Sequence, residues 1–281
     1  MRSLLFVPAD RPERFAKAAA TGVDALILDF EDSVAATRKT LGREEVAKAL
    51  KDAALGPKLF VRVNPLGSPH LEADLAALSG LQPAGIVLPK AEGAVSVRAL
   101  LAMLVDAGIS APILPIATET PRAIFQLGSY GEVAAHLAGL TWGAEDLPAA
   151  IGAATSREPD GHYTAPYELA RSLALFAAHA AGVEAIETVY PDFRNLEGLS
   201  AYAARAARDG YTAMMAIHPT QVAVINNAFT PDAASVAHAQ QIVEAFAANP
   251  GVGALQINGQ MIDAPHLKQA QKLLVRAGKL V

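Results

Sequence analysis

Two carboxylates, Glu119 and Asp146, stand where buried β-strands are expected to run out. The first ends the segment Pro112-Ile-Leu-Pro-Ile-Ala-Thr-Glu119. The second ends Leu140-Thr-Trp-Gly-Ala-Glu-Asp146. Carboxylates on successive strand ends can hold a hard divalent cation and leave coordination positions open for substrate. Further polar residues stand at other strand ends: Asp29, Glu31 and Asp32, Arg62 with Asn64, Lys90 with Glu92, Glu145 beside Asp146, Asp192 and His218. Burying so many is costly unless each is paired, hydrogen-bonded or bound to a metal. Arg62 sits inside Phe60-Val-Arg-Val-Asn64, which favours an inward-pointing, two-pronged role.

Each residue also has a structural reading. Glu119 could favour the positive end of the next helix dipole, and Asp146 could be an N-cap. Arg62 could be the counter-ion of Asp29 or Glu31. Lys90 could be a solvated loop lysine; a Schiff-base role would need a depressed pKa that sequence does not reveal. His218 before Pro219 could be a packed, hydrogen-bonded histidine, and Trp142 reads as core.

The elements that would position these groups recur along the chain. Apolar runs fall at Leu4–Val7, Ala25–Leu28, Leu59–Val63, Gly85–Leu88, Ile113–Ile116, Leu137–Trp142, Val183–Val189 and Ala213–Ile217. Most are apolar on both faces, as buried parallel strands are. Amphipathic stretches lie between them. Asp10 with Glu13 resembles a capping box, Gly22 reads as a stop, and Thr120-Pro121 reads as an N-cap followed by proline at the first helical position. Eight such βα repeats in about 220 residues predict an α/β fold, a (β/α)8 TIM barrel. A doubly wound sheet is the rival, but no glycine-rich phosphate turn follows the first strand. The expected division is a barrel over 1–220 and an extension over 221–281. In the extension, Asp232 would cap a helix running to about Asn249. Asn258-Gly259 would turn a hairpin, and Asp263-Ala-Pro would open a last helix ending near Gly278.

Composition narrows the class. At 281 residues the chain can bury a full core, and 52% hydrophobic against 18% charged residues suits a large interior or subunit interface. A net charge of −5 argues against nucleic acid as a partner, and no basic cluster suggests a membrane surface. The absence of cysteine removes disulfides, thiolate nucleophiles and cysteine-based zinc sites. The apolar run at the N-terminus is too short for a signal peptide, so the expected location is the cytoplasm.

Arg2-Ser-Leu-Leu-Phe-Val-Pro8, Leu26-Ile-Leu-Asp-Phe-Glu-Asp-Ser-Val34, Phe60-Val-Arg-Val-Asn-Pro65, Leu88-Pro-Lys-Ala-Glu92, Glu119-Thr-Pro, Gly143-Ala-Glu-Asp-Leu147, Ala216-Ile-His-Pro219 and Gly259-Gln-Met-Ile-Asp263 occur in this order. Together they resemble the citrate lyase β-subunit-like proteins of the HpcH/HpaI aldolase/citrate lyase superfamily, whose relatives include malyl-CoA and citramalyl-CoA lyases. The resemblance runs from residue 2 to about residue 270. It implies a TIM barrel, a homotrimer, and Mg²⁺ (with Mn²⁺ as a substitute) on Glu119 and Asp146. It implies that Arg62 binds substrate and stabilises an enolate. Phe6, Arg11, Lys17, Glu145, Ile217 and His218 would contact substrate or its CoA part. Asp263 would act as acid/base from a lid that the extension lends to a neighbouring subunit. The implied reaction is retro-Claisen cleavage of a short 3-hydroxyacyl-CoA with a distal carboxylate, giving acetyl-CoA and a 2-oxo acid. Three other readings remain open: a citrate lyase β-subunit acting on citryl-acyl carrier protein, a class II pyruvate aldolase, and a non-catalytic barrel serving as an assembly subunit.

Overall fold

The computed structural model describes residues 1–280. The chain divides into two compact units, Met1–Asn226 and Asn227–Val281.

In the first unit, each expected apolar run contributes one strand. They are β1 (Ser3–Pro8), β2 (Ala25–Asp29), β3 (Lys58–Arg62), β4 (Gly85–Leu88), β5 (Ile113–Pro115), β6 (Leu140–Thr141), β7 (Ala185–Glu187) and β8 (Ala213–Ala216). Helices alternate with them: α1 (Phe15–Ala19), α2 (Lys39–Ala49), α3 (Leu71–Leu78), α4 (Ala94–Asp106), α5 (Pro121–Ile124), α6 (Asp146–Ile151), α7 (Ala165–Ala181) and α8 (Leu196–Asp209). A further helix, α9, covers Gln221–Phe229. The strands are all parallel, in the order β5-β4-β3-β2-β1-β8-β7-β6. This is the expected barrel.

Its seam lies between β5 and β6. Isolated bridges, Ile113 to Leu137 and Ile116 to Thr141, join these strands in place of a continuous ladder. The Ala138 N–H donates to the Ile113 carbonyl at 2.8 Å, and the Ala117 N–H donates to the Thr141 carbonyl at 2.8 Å.

Alternate residues of every strand but β6 fill the barrel. Leu4, Ala25, Ile27, Phe60, Val87, Leu114, Ile116, Ile186, Ala213 and Met215 form one buried cluster. Their neighbours Leu5, Leu26, Leu28, Val61, Ile86 and Leu88 are equally buried on the outer, helix-covered side. This two-sided burial is why the strands read as unbroken apolar runs. The period of two also sets the site. Asp29 follows Ile27 by two residues and Arg62 follows Phe60 by two, so both point into the barrel mouth.

One expected feature differs. Asp10 is not a helix cap. Its carboxylate and its carbonyl are taken by Arg38, and a 3₁₀ turn starts at Pro12 with Arg11 in the cap position. Asp10 is buried, and the long-range ion pair outcompetes the local turn. Thr120 does cap α5, accepting the Ala123 N–H at 3.2 Å.

The second unit contains α10 (Ala233–Ala248), the antiparallel hairpin β9 (Ala254–Ile257) and β10 (Gln260–Asp263), and α11 (Ala264–Arg276). Asp232 caps α10 by accepting the Ser235 N–H at 2.7 Å. Asn258 and Gly259 have φ of +50° and +80°, the pair of left-handed values that a type I′ turn requires. Ala239, Ile242, Ile262, Ala270 and Leu274 form its small core. Among the described residues, no helix is long and apolar enough to cross a membrane.

Barrel packing gives a direct test. A Cβ on Gly85 would lie 2.3 Å from Cε1 of Phe60, whose ring is locked in the interior cluster. Gly85→Ala should therefore cost about 1–3 kcal/mol. Urea unfolding measures it, and stability within error of wild type would show that the interior can yield.

Candidate active site

The site is built at the C-terminal ends of neighbouring strands, where TIM-barrel chemistry is placed. Parallel pairing sets Asp29 of β2 directly beside Arg62 of β3. Arg62 donates from Nε to Asp29 Oδ1 and from Nη2 to Asp29 Oδ2, each at 2.7 Å. Its Nη1 lies 2.9 Å from Glu31 Oε2, although the two are not aligned for a hydrogen bond. The guanidinium carbon sits 4.9 Å above the Phe6 ring. Burial alone would raise the Asp29 pKa, but the Arg62 hydrogen bonds and charge overcome it and hold the carboxyl below its usual range. Burial likewise opposes the Arg62 charge, and its carboxylate partners overcome that, so the guanidinium is fixed as a cation.

Lys90 extends the row. It has φ of +53°, a left-handed backbone unusual for a lysine. Its N–H donates to Glu119 Oε2 at 2.5 Å. Its ammonium donates to Glu31 Oε1 at 2.8 Å and lies 3.5 Å from Asp146 Oδ1. Burial disfavours the ammonium, but Glu31, Glu119 and Asp146 raise its pKa above the usual value. A lysine held protonated in this way is unsuited to Schiff-base chemistry.

Glu119 is 5% exposed. Burial pushes its pKa up to about 8, helped by repulsion from Asp146 and Glu31 and opposed by the Lys90 N–H. Thr118 fixes the local backbone: its hydroxyl donates to the Gly143 carbonyl at 2.9 Å and accepts the Gly143 N–H at 3.0 Å. Gly143 is required here, since a Cβ would fall 2.7 Å from Glu119 Cγ. Asp146 opens α6, with Glu145 in the cap position making no side-chain cap hydrogen bond. Asp146 thus lies beyond the two-residue strand β6, one residue past the cap.

A second layer, which strand-end reading misses, holds the β2 loop. Lys39 of α2 donates to the carbonyls of Phe30 at 2.6 Å and Glu31 at 3.0 Å, and to Asn64 Oδ1 at 3.0 Å. Asn64 donates from its backbone and side-chain nitrogens to Asp74 of α3, at 2.8 and 2.6 Å. Arg43 pairs with the same carboxylate at 2.8 Å. All three linking residues, Lys39, Asn64 and Asp74, are buried. Asn64 was visible as a strand-end residue; the signal of Lys39 and Asp74 was a charged residue on a buried helix face, which sequence alone does not separate from an exposed one.

The other expected residues are more dispersed. Arg11 lies 3.9 Å from Asp10 and is half exposed, and Lys17 is exposed. Glu145 is exposed; Ile217 and His218 follow β8, where the His218 ring stacks on Phe193 at 4.7 Å. At β7 the sequence points to Asp192, which is exposed, while the strand itself ends in fully buried Glu187. Glu187 accepts hydrogen bonds from Trp142 Nε1, from Tyr202 at 2.9 Å and from Arg171 at 2.7 Å. In the second unit, Asp263 occupies the N-cap of α11, with Oδ1 2.5 Å from His266 Nδ1.

A model of the HpcH/HpaI aldolase/citrate lyase family matches residues 2–219. The chain belongs to this family. Its members and relatives are lyases, and this chain is a carbon–carbon lyase. It is 38% identical to a citrate lyase subunit beta-like protein of Mycobacterium tuberculosis over 98% of this chain and 95% of that one. It is 33% identical to the mitochondrial citramalyl-CoA lyase of Homo sapiens, over 98% and 85%. Its fold matches the crystal structure of the protein CitE from M. tuberculosis in complex with magnesium, acetoacetate and coenzyme A. The TM-score is 0.80 at 36% identity, covering 99% of this chain and 98% of that one.

The geometry fits a divalent cation. Asp29, Glu31, Glu119 and Asp146 oppose only two cations, Arg62 and Lys90, so two negative charges are in excess when all ionise. A buried carboxyl pushed up to about 8 is one whose charge lacks compensation. Among the described residues, no group of three or more His, Cys, Asp and Glu gathers around one point. Glu119 and Asp146 would thus leave most positions of a hard cation to water and substrate.

The Glu119 shift sets a pH dependence. Its folded value lies above the ordinary 4.5, so the folded metal-free chain keeps a proton that the unfolded chain releases. Stability from this group is full below the ordinary value and falls as pH rises toward about 8. Wild type in EDTA should therefore lose thermal stability across that interval relative to Glu119→Gln, and Mg²⁺ should remove the difference. Parallel pH profiles of the two proteins in EDTA would show that Glu119 is not perturbed.

Proposed function

We propose that the chain cleaves a short 3-hydroxyacyl-CoA carrying a distal carboxylate, of the malyl-CoA or citramalyl-CoA type, to acetyl-CoA and a 2-oxo acid. The observation that carries this reading is that Arg62, Glu119 and Asp146 belong to one linked row at the barrel mouth, Arg62 facing Glu31 and Lys90 joining Glu31 to Glu119 and Asp146. The citramalyl-CoA lyase relative supports the substrate class, and the magnesium and coenzyme A held by CitE support the ligands.

Mg²⁺, held by Glu119 and Asp146, would polarise the oxygens of the 2-oxo acid fragment as a Lewis acid. The chain's own groups do the rest. Arg62 is fixed by the bonds of Nε and Nη2 to Asp29, and its remaining Nη hydrogens would be the donors presented to the thioester oxygen where enolate charge develops. Removal of one such donor typically costs on the order of 10²–10³ in rate. Phe6 beneath the guanidinium excludes water from that side. As the carbon–carbon bond breaks, the substrate hydroxyl would give up its proton to Asp263 or to water, and Asp263, supplied by the extension of a neighbouring subunit in a homotrimer, would return a proton to the carbanion. Arg11, Lys17, Glu145, Ile217 and His218 would contact the CoA part. The name of the M. tuberculosis relative favours a second reading, a β-subunit acting on citryl-acyl carrier protein.

The test is mass spectrometry of purified protein incubated with malyl-CoA or citramalyl-CoA, in Mg²⁺ and then in EDTA. Metal-dependent release of acetyl-CoA with glyoxylate or pyruvate is expected, and Asp146→Ala should abolish it with the fold intact by circular dichroism. Inert CoA thioesters alongside cleavage of citryl-acyl carrier protein would move the assignment to the second reading.

Asp263→Asn should lower kcat by roughly 10²–10⁴ while leaving Mg²⁺ affinity unchanged, because a general acid acts on the proton and not on the metal. Wild-type kinetics in this variant would reduce Asp263 to the helix cap.

A further inference from the structure

We propose that Lys90 is a positioning residue that serves as the site's internal counter-ion: it holds Glu31, Glu119 and Asp146 together when the metal is absent and yields Asp146 to the metal when it binds. The inference rests on the reading of Glu119 and Asp146 as the metal-holding pair.

One residue reaches three carboxylates by two different means. The backbone N–H grips Glu119 Oε2 at 2.5 Å, and the ammonium reaches Glu31 and Asp146. The two ammonium contacts are unequal. Glu31 is held at a full hydrogen-bond distance of 2.8 Å, is itself buried, and faces Arg62 as well. Asp146 is held at 3.5 Å, outside the range of a strong hydrogen bond, and its side chain is 36% exposed. The ammonium is thus anchored on Glu31 and leans toward Asp146, whose carboxylate is free to rotate onto an incoming cation. Lys90 can make both kinds of contact because its backbone is left-handed, which turns its N–H toward Glu119 while its side chain crosses to β2 and α6. A non-glycine residue kept there carries strain that its surroundings must offset. A solvated loop lysine would give no reason to keep it.

The charge arithmetic gives the direction of the effect. Without the ammonium, Glu31, Glu119 and Asp146 face one another with one positive charge fewer. The metal-free site is then less stable, and the same uncompensated charge attracts a divalent cation more strongly. Lys90 trades affinity for a site that is already formed.

The experiment is isothermal titration of Mg²⁺, and of Mn²⁺ as a second probe, into full-length wild type, Lys90→Met, Lys90→Gly and Lys90→Arg. It is run in two buffers of different ionisation enthalpy, so that any proton released on binding is separated from the metal affinity. Thermal melts are recorded with metal and with EDTA. Lys90→Met should bind Mg²⁺ roughly tenfold tighter, the scale expected for one charge at this range in a partly solvated site, and should melt lower in EDTA but not in saturating Mg²⁺. Lys90→Gly keeps the N–H to Glu119 and relieves the left-handed strain. It should show the same tightening even if Lys90→Met folds poorly. Lys90→Arg should restore wild-type affinity. Unchanged or weaker binding in both neutral variants, with equal melting loss in metal and EDTA, would make Lys90 an ordinary structural ion pair and overturn the proposal. Failure of the underlying reading is separable: Glu119→Gln and Asp146→Asn would then bind metal as wild type does.

Discussion

Asp29 and Arg62 are paired side by side in the β2–β3 ladder and are joined by two hydrogen bonds of 2.7 Å. The rest of the mouth depends on this pair. A guanidinium in the barrel interior requires a carboxylate with matching geometry, and a bidentate pair fixes the orientation of both groups. With Arg62 so fixed, Glu31 can be buried against its remaining nitrogen. With Glu31 buried, Lys90 has an anchor for its ammonium, and with Lys90 placed, Glu119 and Asp146 acquire their contacts. The row follows the strand ends from β2 to β6, with the two cations, Arg62 and Lys90, side by side between carboxylates at either end. Removal of Asp29 would leave the buried Arg62 with Glu31 alone and without either of its aligned hydrogen bonds, and breaking one side of a buried pair is strongly destabilising.

The barrel was legible in the sequence because parallel strands covered on both faces need apolar residues at every position. All eight runs contain a strand, although β6 and β7 shrink to Leu140–Thr141 and Ala185–Glu187. The hairpin and last helix were equally legible, because Asn258-Gly259 and Asp263-Ala-Pro leave few local alternatives. Asp10 was misread because its role is decided by Arg38, twenty-eight residues away. Glu187 was passed over for Asp192 because a carboxylate inside an apolar strand is explained only by Trp142, Arg171 and Tyr202 converging on it from other elements. Asn64 was legible at its strand end, but its partners Lys39 and Asp74 were not, for the same reason. Local rules exposed the positions of charges; long-range pairing decided which were buried.

The candidate metal pair also lies at the weakest line of the barrel. Seven neighbouring strand pairs share continuous ladders, whereas β5 and β6 meet through isolated bridges. The Thr118 hydroxyl, bonded both ways to Gly143, replaces part of the missing ladder. Glu119 follows Thr118 on one side of the seam, and Asp146 follows Gly143 by three residues on the other. β6 ends at Thr141, and Trp142 to Glu145 connect it to Asp146, the first residue of α6. A cation shared by Glu119 and Asp146 would bridge the two sides of the seam, so binding would supply closure that the backbone hydrogen bonds leave incomplete.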